Sequence, residues 1–194
     1  MNIAPIILFV YNQSNTTIKV LSNLKKNYLA KVSELYIFSD GPKNSKEDKR
    51  KVLKVREHIN TVRGFKKVHI IKRKKNFGLY KNITSGLDLI FSKKKSAIIL
   101  EDDILVSKNF LDYMNKSLDL YKNYTQVGSI CGTSSGNENK LPDTFFLYHQ
   151  DCWGWATWKR SWKLYTHNSS YLLKKIKKKG LSKKFNLDDK FFFY

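Results

Sequence analysis

The chain has 194 residues, of which 41% are hydrophobic, and its 37 Lys and Arg against 16 Asp and Glu give a formal charge of +21. The hydrophobic content excludes a disordered chain, and the length suits one α/β domain with a buried core. The positive charge favours an anionic partner, namely nucleic acid, a membrane surface or a phosphorylated substrate, whereas a lysine-rich solvated surface would explain it without any partner. Because the lysine clusters lack the interleaved aromatic residues of a groove that stacks bases, we expect no nucleic-acid partner.

The compartment is predicted from the cysteines and the N-terminal segment. Cys131 and Cys152 alone make no disulfide framework and suit a reducing environment. The apolar run at residues 3–11 is too short to span a bilayer, and it lacks a basic leader and a cleavage pattern of small residues. We therefore expect a cytoplasmic protein, with peripheral contact to an anionic membrane on its inner face.

The first half of the chain alternates between apolar runs and amphipathic segments, which predict strands and helices respectively. Strands are predicted at residues 3–11, 35–38, 67–72 and 97–100. Helices are predicted at residues 17–29, 45–62 and 79–92.

The second half begins with a helix predicted at residues 107–124, with Ser107 as its N-cap. Two further strands are predicted at residues 127–132 and 145–148, separated by a polar loop. A tryptophan-rich stretch at 152–158 precedes a short helix at 159–165 and a very basic helix and loop at 169–184.

Strands that alternate with helices predict an α/β fold with a mostly parallel sheet and right-handed crossovers. The chain contains neither GxGxxG nor GxxxxGK[ST], so it has no dinucleotide fingerprint and no P-loop. We expect two parts, residues 1–132 and 133–194, which together form a single domain.

Three consecutive acids, Glu101, Asp102 and Asp103, follow the apolar run at 97–100. An uninterrupted apolar run indicates a strand buried on both faces, so the acids should lie at its carboxyl end, where open α/β sheets bind ligands. Adjacent carboxylates repel each other unless a cation lies beside them, and Mg²⁺ and Mn²⁺ prefer oxygen ligands. We therefore predict a site for Mn²⁺ or Mg²⁺ and a diphosphate, with Asp103 as the metal ligand because it is furthest from the buried run. Alternatively, the acids cap the next helix or pair with lysines, although Ser107 already supplies that cap.

Other polar residues follow the neighbouring predicted strands and should reach the same edge of the sheet. Tyr11 and Asn12 follow the first strand, Asp40 the second and Arg73 the third. Asp40 could accept a hydrogen bond from a base, or it could be an ordinary turn residue. Arg73 could pair with a pyrophosphate, or it could simply be solvated.

Trp153, Trp155 and Trp158 lie close together in the sequence, in the stretch after the last predicted strand. Such rings can stack on the apolar face of a sugar. Alternatively they pack in the core, because tryptophan buries a large area.

These residues resemble the nucleotide-sugar glycosyltransferases of Rossmann-like GT-A fold, in particular the N-acetylglucosaminyltransferase I type and bacterial sugar transferases. The resemblance extends from residue 4 to about residue 162. It rests on the segments 5–10, 38–40, 78–81, 98–103 and 107–113 and on Gly154-Trp155. The segment 98–103 is similar to the EDD version of that family's DxD metal motif.

The resemblance implies roles for individual residues. The last acid of EDD, here Asp103, would bind manganese, Asp40 would recognise uracil, and Gly154 and Trp155 would lie on the acceptor side. The nucleotide sugar would contact residues at four strand ends: Val10, Tyr11, Asn12, Asp40, Arg73, Glu101 and Asp102. Residues 1–132 would then be the half that binds the nucleotide sugar, and residues 133–194 would be the acceptor side.

The chain also departs from the family pattern. Gln13 stands where the family often has an Arg, and Ser85 where one branch has a His. The family's catalytic base is an Asp downstream of Gly-Trp, and the only later acids here are Asp188 and Asp189. Because the chain ends on four aromatic residues, we expect a C-terminal truncation, and an Asp beyond Tyr194 is the alternative to Asp188 and Asp189 as the base.

The resemblance thus implies an inverting, metal-dependent transferase of bacterial surface polysaccharide synthesis. It would move a hexosyl or N-acetylhexosaminyl group from a nucleotide-diphosphate sugar, with UDP as the expected nucleotide, to a glycan or lipid-linked acceptor. Two alternatives stay open: a catalytically incomplete fragment that binds the nucleotide sugar only, and a basic α/β domain that binds nucleic acid.

Overall fold

The computed structural model describes residues 2–133 and 142–185, which form one six-stranded sheet flanked by helices. The strands are β1 Ile6–Val10, β2 Glu34–Ser39, β3 Lys67–Lys72, β4 Ser96–Glu101, β5 Ser129–Cys131 and β6 Trp155–Trp158. The helices are α1 Ser14–Leu24, α2 Lys46–Asn60, α3 Leu79–Lys93, α4 Phe110–Leu120, α5 Lys159–Trp162, α6 Ser169–Lys178 and α7 Ser182–Phe185. A short 3-10 helix, Tyr28–Val32, follows α1.

The strand order is β3-β2-β1-β4-β6-β5, in which β1 to β4 are parallel and β6 runs antiparallel to both of its neighbours. The predicted α/β class and mostly parallel sheet are therefore confirmed. Because β2 and β3 extend the sheet on one side of β1 and β4 lies on the other, the chain reverses its direction of growth between β1 and β4. Ligands of open α/β sheets bind at the carboxyl ends of the strands at such a switch point.

The core lies on both faces of the sheet, because successive residues of a strand point to opposite faces. Ile6 and Leu8 of β1 pack with residues of α1, α2 and α4, whereas Ile7 and Phe9 pack with residues of α3. All five residues of β1 are buried. β1 is thus apolar throughout because both of its faces are buried in the core.

The helix α1 ends at Leu24, five residues before the predicted end. The buried side chain of Asn27 explains the early end. Its amide donates to the carbonyl of Ser107 (3.1 Å), and its oxygen accepts from the backbone N–H of Leu111 (2.9 Å). The chain therefore leaves the helical path before Asn27, whose hydrogen bonds link this segment to the start of α4.

Ser107 is not the N-cap of α4, so that prediction is wrong. The helix begins at Phe110 after Asn109, and no side chain caps it. The carbonyl of Ser107, rather than its hydroxyl, is engaged, because it accepts from Asn27 and from the N–H of Phe110 (3.2 Å).

The predicted strand at 145–148 is absent, and those residues are exposed. The last strand is instead β6, within the tryptophan-rich stretch, and it pairs with the free edge of β4. Trp158 is buried there and its indole N–H donates to the carbonyl of Leu118 (3.3 Å), so core packing is the correct interpretation for this tryptophan. β6, from the second predicted part, lies between β4 and β5 of the first, so both parts share one sheet.

None of the helices in the described ranges has the length and apolar character needed to cross a bilayer.

Gly86 allows α3 to lie close to the sheet, which gives a test of this packing. A Cβ added there would lie 2.7 Å and 2.9 Å from ring atoms of Phe9 and 3.3 Å from Phe38. We expect Gly86→Ala to lower the free energy of unfolding by about 1–3 kcal/mol, although alanine favours a helix over glycine. Urea denaturation measures this change.

Gly128→Ala is the matched control, because nothing lies within 4 Å of the position of its Cβ. We expect it to leave the unfolding midpoint nearly unchanged. A Gly86→Ala protein as stable as the wild type would contradict the close approach of α3 to the sheet.

Candidate functional site

The carboxyl ends of β1 and β4 lie side by side at the switch point, where Phe9 is in register with Glu101. The carboxylate of Asp102 joins the two strands there. Its Oδ2 accepts from the backbone N–H of Tyr11 (3.0 Å) and from the hydroxyl of Thr17 in α1 (3.3 Å). Asp102 thus holds the loop after β1 against the end of β4.

The three consecutive acids differ in their surroundings. Burial, and then the nearby negative charges, raise the pKa of Glu101. Burial also raises the pKa of Asp102, against the hydrogen bonds from Tyr11 and Thr17. Asp103 is exposed, and within the described ranges its carboxylate has no hydrogen-bond or ion-pair partner. The end of β4 therefore carries negative charge that a cation would stabilise.

The fit of a divalent metal can be judged from these donors. Among the described residues, no three His, Cys, Asp or Glu side chains are grouped so that they could hold a metal ion. The chain does not by itself supply a complete metal cage in this part. Mg²⁺ usually takes only one or two carboxylates together with phosphate oxygens and water, and the open carboxylate of Asp103 fits that mode of binding.

The loop after β1 is held by Asp48 in α2. Asp48 accepts from the hydroxyl of Tyr11 (2.6 Å), from the side-chain amide of Asn12 (2.7 Å) and from the N–H of Lys43 (2.6 Å). Burial and then the bond to Asp48 raise the pKa of Tyr11 to about 12. Tyr11 and Asn12 therefore lie at the predicted edge, in a fixed orientation.

Sequence reasoning missed Asp48. It lies three residues after Ser45, the N-cap of α2, whose hydroxyl accepts from the N–H of Asp48 (3.1 Å). That spacing is typical of a capping box, in which the acid bonds back to the N-cap. Here the carboxylate of Asp48 binds the loop after β1 instead. No signal in the sequence distinguished this arrangement from a capping box.

Val10, predicted to contact the nucleotide sugar, is buried in the core, and its carbonyl accepts from the N–H of Asp40 (3.0 Å). Its side chain and its carbonyl are therefore both used by the fold. That residue is part of the scaffold of the edge.

Asp40 is 4% exposed, and its carboxylate accepts four hydrogen bonds. They come from the N–H groups of Gly41 (2.8 Å), Phe77 (2.9 Å) and Gly78 (3.0 Å) and from the side chain of Asn76 (3.1 Å). A carboxylate has about four acceptor positions. Asp40 therefore shapes the turn before α3, and it has no acceptor position left for a base.

Gly41 completes this turn. A Cβ at Gly41 would lie 2.2–2.7 Å from backbone atoms of Lys75, so the two loops touch through their main chains. The turn Ser39-Asp40-Gly41-Pro42 thus has a structural reason that is independent of any ligand.

Arg73 is at the predicted edge but is held by α3. Its Nε donates to Asn82 (3.3 Å) and its Nη2 donates to Ser85 (2.9 Å). The guanidinium lies over the rings of Phe38 (5.4 Å) and Phe77 (4.8 Å). Its guanidinium therefore does not extend freely towards a pyrophosphate, and Ser85 is one of its partners.

A second arginine, Arg56 of α2, was not predicted. It donates to the hydroxyl of Ser39 (3.2 Å) and to the carbonyls of Asp40 (3.1 Å) and Arg73 (2.7 Å). Burial lowers its pKa. It joins the ends of β2 and β3. In the sequence, Arg56 lies beside the apolar stripe of α2, and nothing in that pattern indicated this role.

Gly154 and Trp155 lie at the same edge, because Trp155 is in register with Ile99 and so lies beside the end of β4. Gly154 has φ of +78°, and its carbonyl accepts from the N–H of Gly132 (2.8 Å). It forms the turn that starts β6. Trp155 is half-buried and packs on the α3 face of the sheet.

Asp188 and Asp189, the predicted catalytic acids, lie outside the described residues.

A cavity of about 550 Å³ lies away from the acids, between α3 and residues 159–167. Its wall includes Trp162, whose indole N–H donates to Asp88 (2.7 Å) and whose ring stacks on Tyr165 (centroids 4.5 Å apart). None of the residues at the carboxyl edge lines it.

Comparison with known proteins gives remote likenesses only. The chain matches no model of a protein family and no curated protein. Among solved structures, TarS from S. aureus has a TM-score of 0.45 and 16% identity, covering 61% of this chain and 20% of TarS. A candidate nucleotide-diphospho-sugar transferase from Desulfovibrio desulfuricans G20 has a TM-score of 0.42 and 11% identity, covering 92% and 77% respectively.

The galactosyltransferase LgtC, solved with donor and acceptor sugar analogues, has a TM-score of 0.44 and 14% identity, covering 89% of this chain and 65% of that chain. This chain therefore spans a fifth of the TarS chain and just under two thirds of LgtC. Two of the names are those of sugar transferases, the class that the sequence resembles. With TM-scores below 0.5, these likenesses carry no argument about ligands.

The four bonds to Asp40 predict a large effect of its removal. Asp40→Ala would leave the N–H groups of Gly41, Phe77 and Gly78 without this acceptor, and the side-chain amide of Asn76 would keep only its bond to the carbonyl of Gly41. We expect the free energy of unfolding to fall by more than about 2 kcal/mol. Asp119→Ala, which removes an exposed carboxylate from an ion pair with Lys122, should cost less than about 1 kcal/mol. Equal effects of the two substitutions in urea denaturation would contradict the role of Asp40.

The bond between Tyr11 and Asp48 predicts a pH dependence. Because the folded-state pKa of Tyr11 is raised from 10.0 to about 12, its stabilising contribution is complete below pH 10 and is lost as the pH rises through about 12. We expect wild type to exceed Tyr11→Phe in unfolding free energy by about 1 kcal/mol below pH 10, and this difference to vanish towards pH 12.

The control is Tyr28→Phe, which removes a hydrogen bond to Asp112 from a side chain that is 62% exposed. Its effect at neutral pH should be smaller than that of Tyr11→Phe. A Tyr11→Phe difference that does not change between pH 8 and pH 12 would contradict the raised pKa.

Proposed function

We propose that this chain is a GT-A-type glycosyltransferase that binds a nucleotide-diphosphate sugar at the carboxyl edge between β1 and β4. One observation carries the proposal: the acids at the end of β4 lie at the switch point of the sheet, with Asp102 bound to the loop after β1 and Asp103 open to solvent. UDP is the nucleotide that we expect. The acceptor that we expect is a glycan or lipid-linked sugar of surface polysaccharide synthesis.

The side chains at the edge divide into binding and scaffolding groups. The open carboxylate of Asp103 would hold Mn²⁺ or Mg²⁺, and the neighbouring Glu101 would act through water or bind sugar hydroxyls. The fixed ring of Tyr11 and the side chain of Asn12 would face the nucleotide. Asp40, Arg73 and Asp48 would act indirectly, by holding the loops that border the site.

The proposed chemistry assigns one task to the metal and another to a carboxylate of the chain. When bound, the metal would neutralise charge on the leaving diphosphate as a Lewis acid. A carboxylate of the chain takes the proton from the acceptor hydroxyl, whose oxygen attacks the anomeric carbon on the face opposite the diphosphate. Inversion at that carbon is part of the proposal. Asp188 and Asp189 are the residues proposed for the proton transfer. Gly154 and Trp155, beside the end of β4, would border the acceptor.

Asp103→Ala tests the metal role. We expect the affinity for UDP in the presence of manganese to fall by roughly tenfold or more, because a ligand to the metal is lost. Isothermal titration with UDP, with and without manganese, measures this loss. UDP affinity that depends on manganese to the same extent in wild type and variant would refute the role of Asp103.

Glu57→Ala is the matched control, since it removes another exposed carboxylate, on α2. It should bind UDP like the wild type. A screen of nucleotide sugars by thermal shift then identifies the donor, because a ligand that binds only the folded state raises the melting temperature.

The same measurements separate the alternatives. A fragment that only binds the donor would show the UDP shift without sugar transfer to any acceptor. A nucleic-acid-binding domain would show steeply salt-dependent binding that is indifferent to manganese and to Asp103→Ala.

A further inference from the structure

The helices α6 and α7 form a surface that the transfer reaction does not use. Three apolar residues of α6, Leu172, Leu173 and Ile176, have the spacing of one helical face. Leu181 and Phe185, four residues apart, follow in the next turn and α7. We call these five residues and the lysines around them the basic amphipathic surface.

Both ends of α6 are closed by hydrogen bonds. The side chain of Asn168 caps α6 by accepting from the N–H of Tyr171 (2.9 Å). The helix ends at Lys178, Gly180 follows with φ of +63°, and the N–H of Leu181 donates to the carbonyl of Ile176 (3.0 Å). This closure brings Leu181 next to the apolar face of α6, as in a Schellman-type helix end.

The apolar face remains largely accessible in the described part of the chain. Leu172 is 40% exposed and Leu173 is 49% exposed. Exposing neighbouring leucines to water is unfavourable, so this face is suited to a partner that accepts apolar side chains.

The charged residues around this face are all positive. Seven lysines lie between residues 174 and 184, and no Asp or Glu occurs between residues 152 and 187. The lysines of α6 occupy the faces beside and opposite the leucines, namely Lys174, Lys175, Lys177 and Lys178. A helix with leucines on one face and lysines on the others is typical of segments that lie in the interface of a bilayer.

We propose that the basic amphipathic surface lies flat on a bilayer of anionic lipid, with Leu172, Leu173 and Ile176 inserted between the headgroups and the lysines against them. A second copy of the chain would bring like charges together. A nucleic acid would satisfy the lysines but leave the leucines in water. The inference goes beyond sugar transfer, since it requires neither nucleotide nor metal.

Co-sedimentation of the full chain with vesicles tests the proposal without any nucleotide. We compare vesicles of phosphatidylcholine alone with vesicles of equal parts phosphatidylcholine and phosphatidylglycerol. We expect binding to the anionic vesicles to be at least about tenfold tighter, and to weaken with added salt, since each lysine near the surface contributes roughly fivefold.

Two paired variants separate insertion from attraction. Replacing both Leu172→Ser and Leu173→Ser should weaken binding to anionic vesicles by about tenfold or more. Replacing both Lys177→Gln and Lys178→Gln should do so by roughly tenfold or more. All four positions are exposed, so the fold is expected to be unaffected, which circular dichroism checks.

The matched controls are on α2, which is also rich in lysine. Leu53→Ser removes a leucine that is 58% exposed, and Lys46→Gln with Lys49→Gln removes two exposed lysines. These controls should bind vesicles like the wild type. Equal loss in the controls, no preference for anionic vesicles, or self-association that the leucine variant abolishes would overturn the proposal.

Discussion

The edge of this sheet depends on carboxylates that accept hydrogen bonds from neighbouring loops. Asp40 binds the turn before α3, Asp48 binds the loop after β1, and Asp102 joins that loop to β4. Each carboxylate replaces hydrogen bonds to water with several bonds to the chain, which is what makes a buried charge tolerable. Loops from three separate crossovers are held in place in this way.

This arrangement explains why acids so close together have different roles. Asp102 is already used by the fold, whereas Asp103, its neighbour, is directed to solvent without a partner in the described ranges. A site that must bind a cation needs a carboxylate that the fold does not use and others that keep it in place. In this structure Asp103 is the carboxylate that the fold does not use, and Asp40, Asp48 and Asp102 hold the loops in place.

The sequence was sufficient for the fold class and for placing the three acids at the carboxyl end of β4, because both follow from patterns within single segments. The apolar run before Glu101 indicated a buried strand, and β3 has the predicted bounds, Lys67–Lys72. The predictions that failed concerned residues whose partners are distant in the sequence. Asp40 and Arg73 were placed correctly, but their hydrogen bonds to α3 and the turn before it could not be inferred from a turn motif or a lone arginine. The strand β6 was missed for the same reason, since only the free edge of β4 makes Trp155–Trp158 extended.

The position of β6 also determines the order in which the sheet can form. β5 pairs only with β6 in the described sheet, although β5 comes first in the chain. Until residues 155–158 have been synthesised, the apolar strand β4 has an unpaired outer edge, and such an edge invites pairing with other chains. During translation, the acids at the end of β4 therefore lie on a sheet that is still open on one side. Closing that side requires a pairing across more than fifty residues, a longer separation than in the β1–β2 and β2–β3 pairs but a shorter one than in the β1–β4 pair.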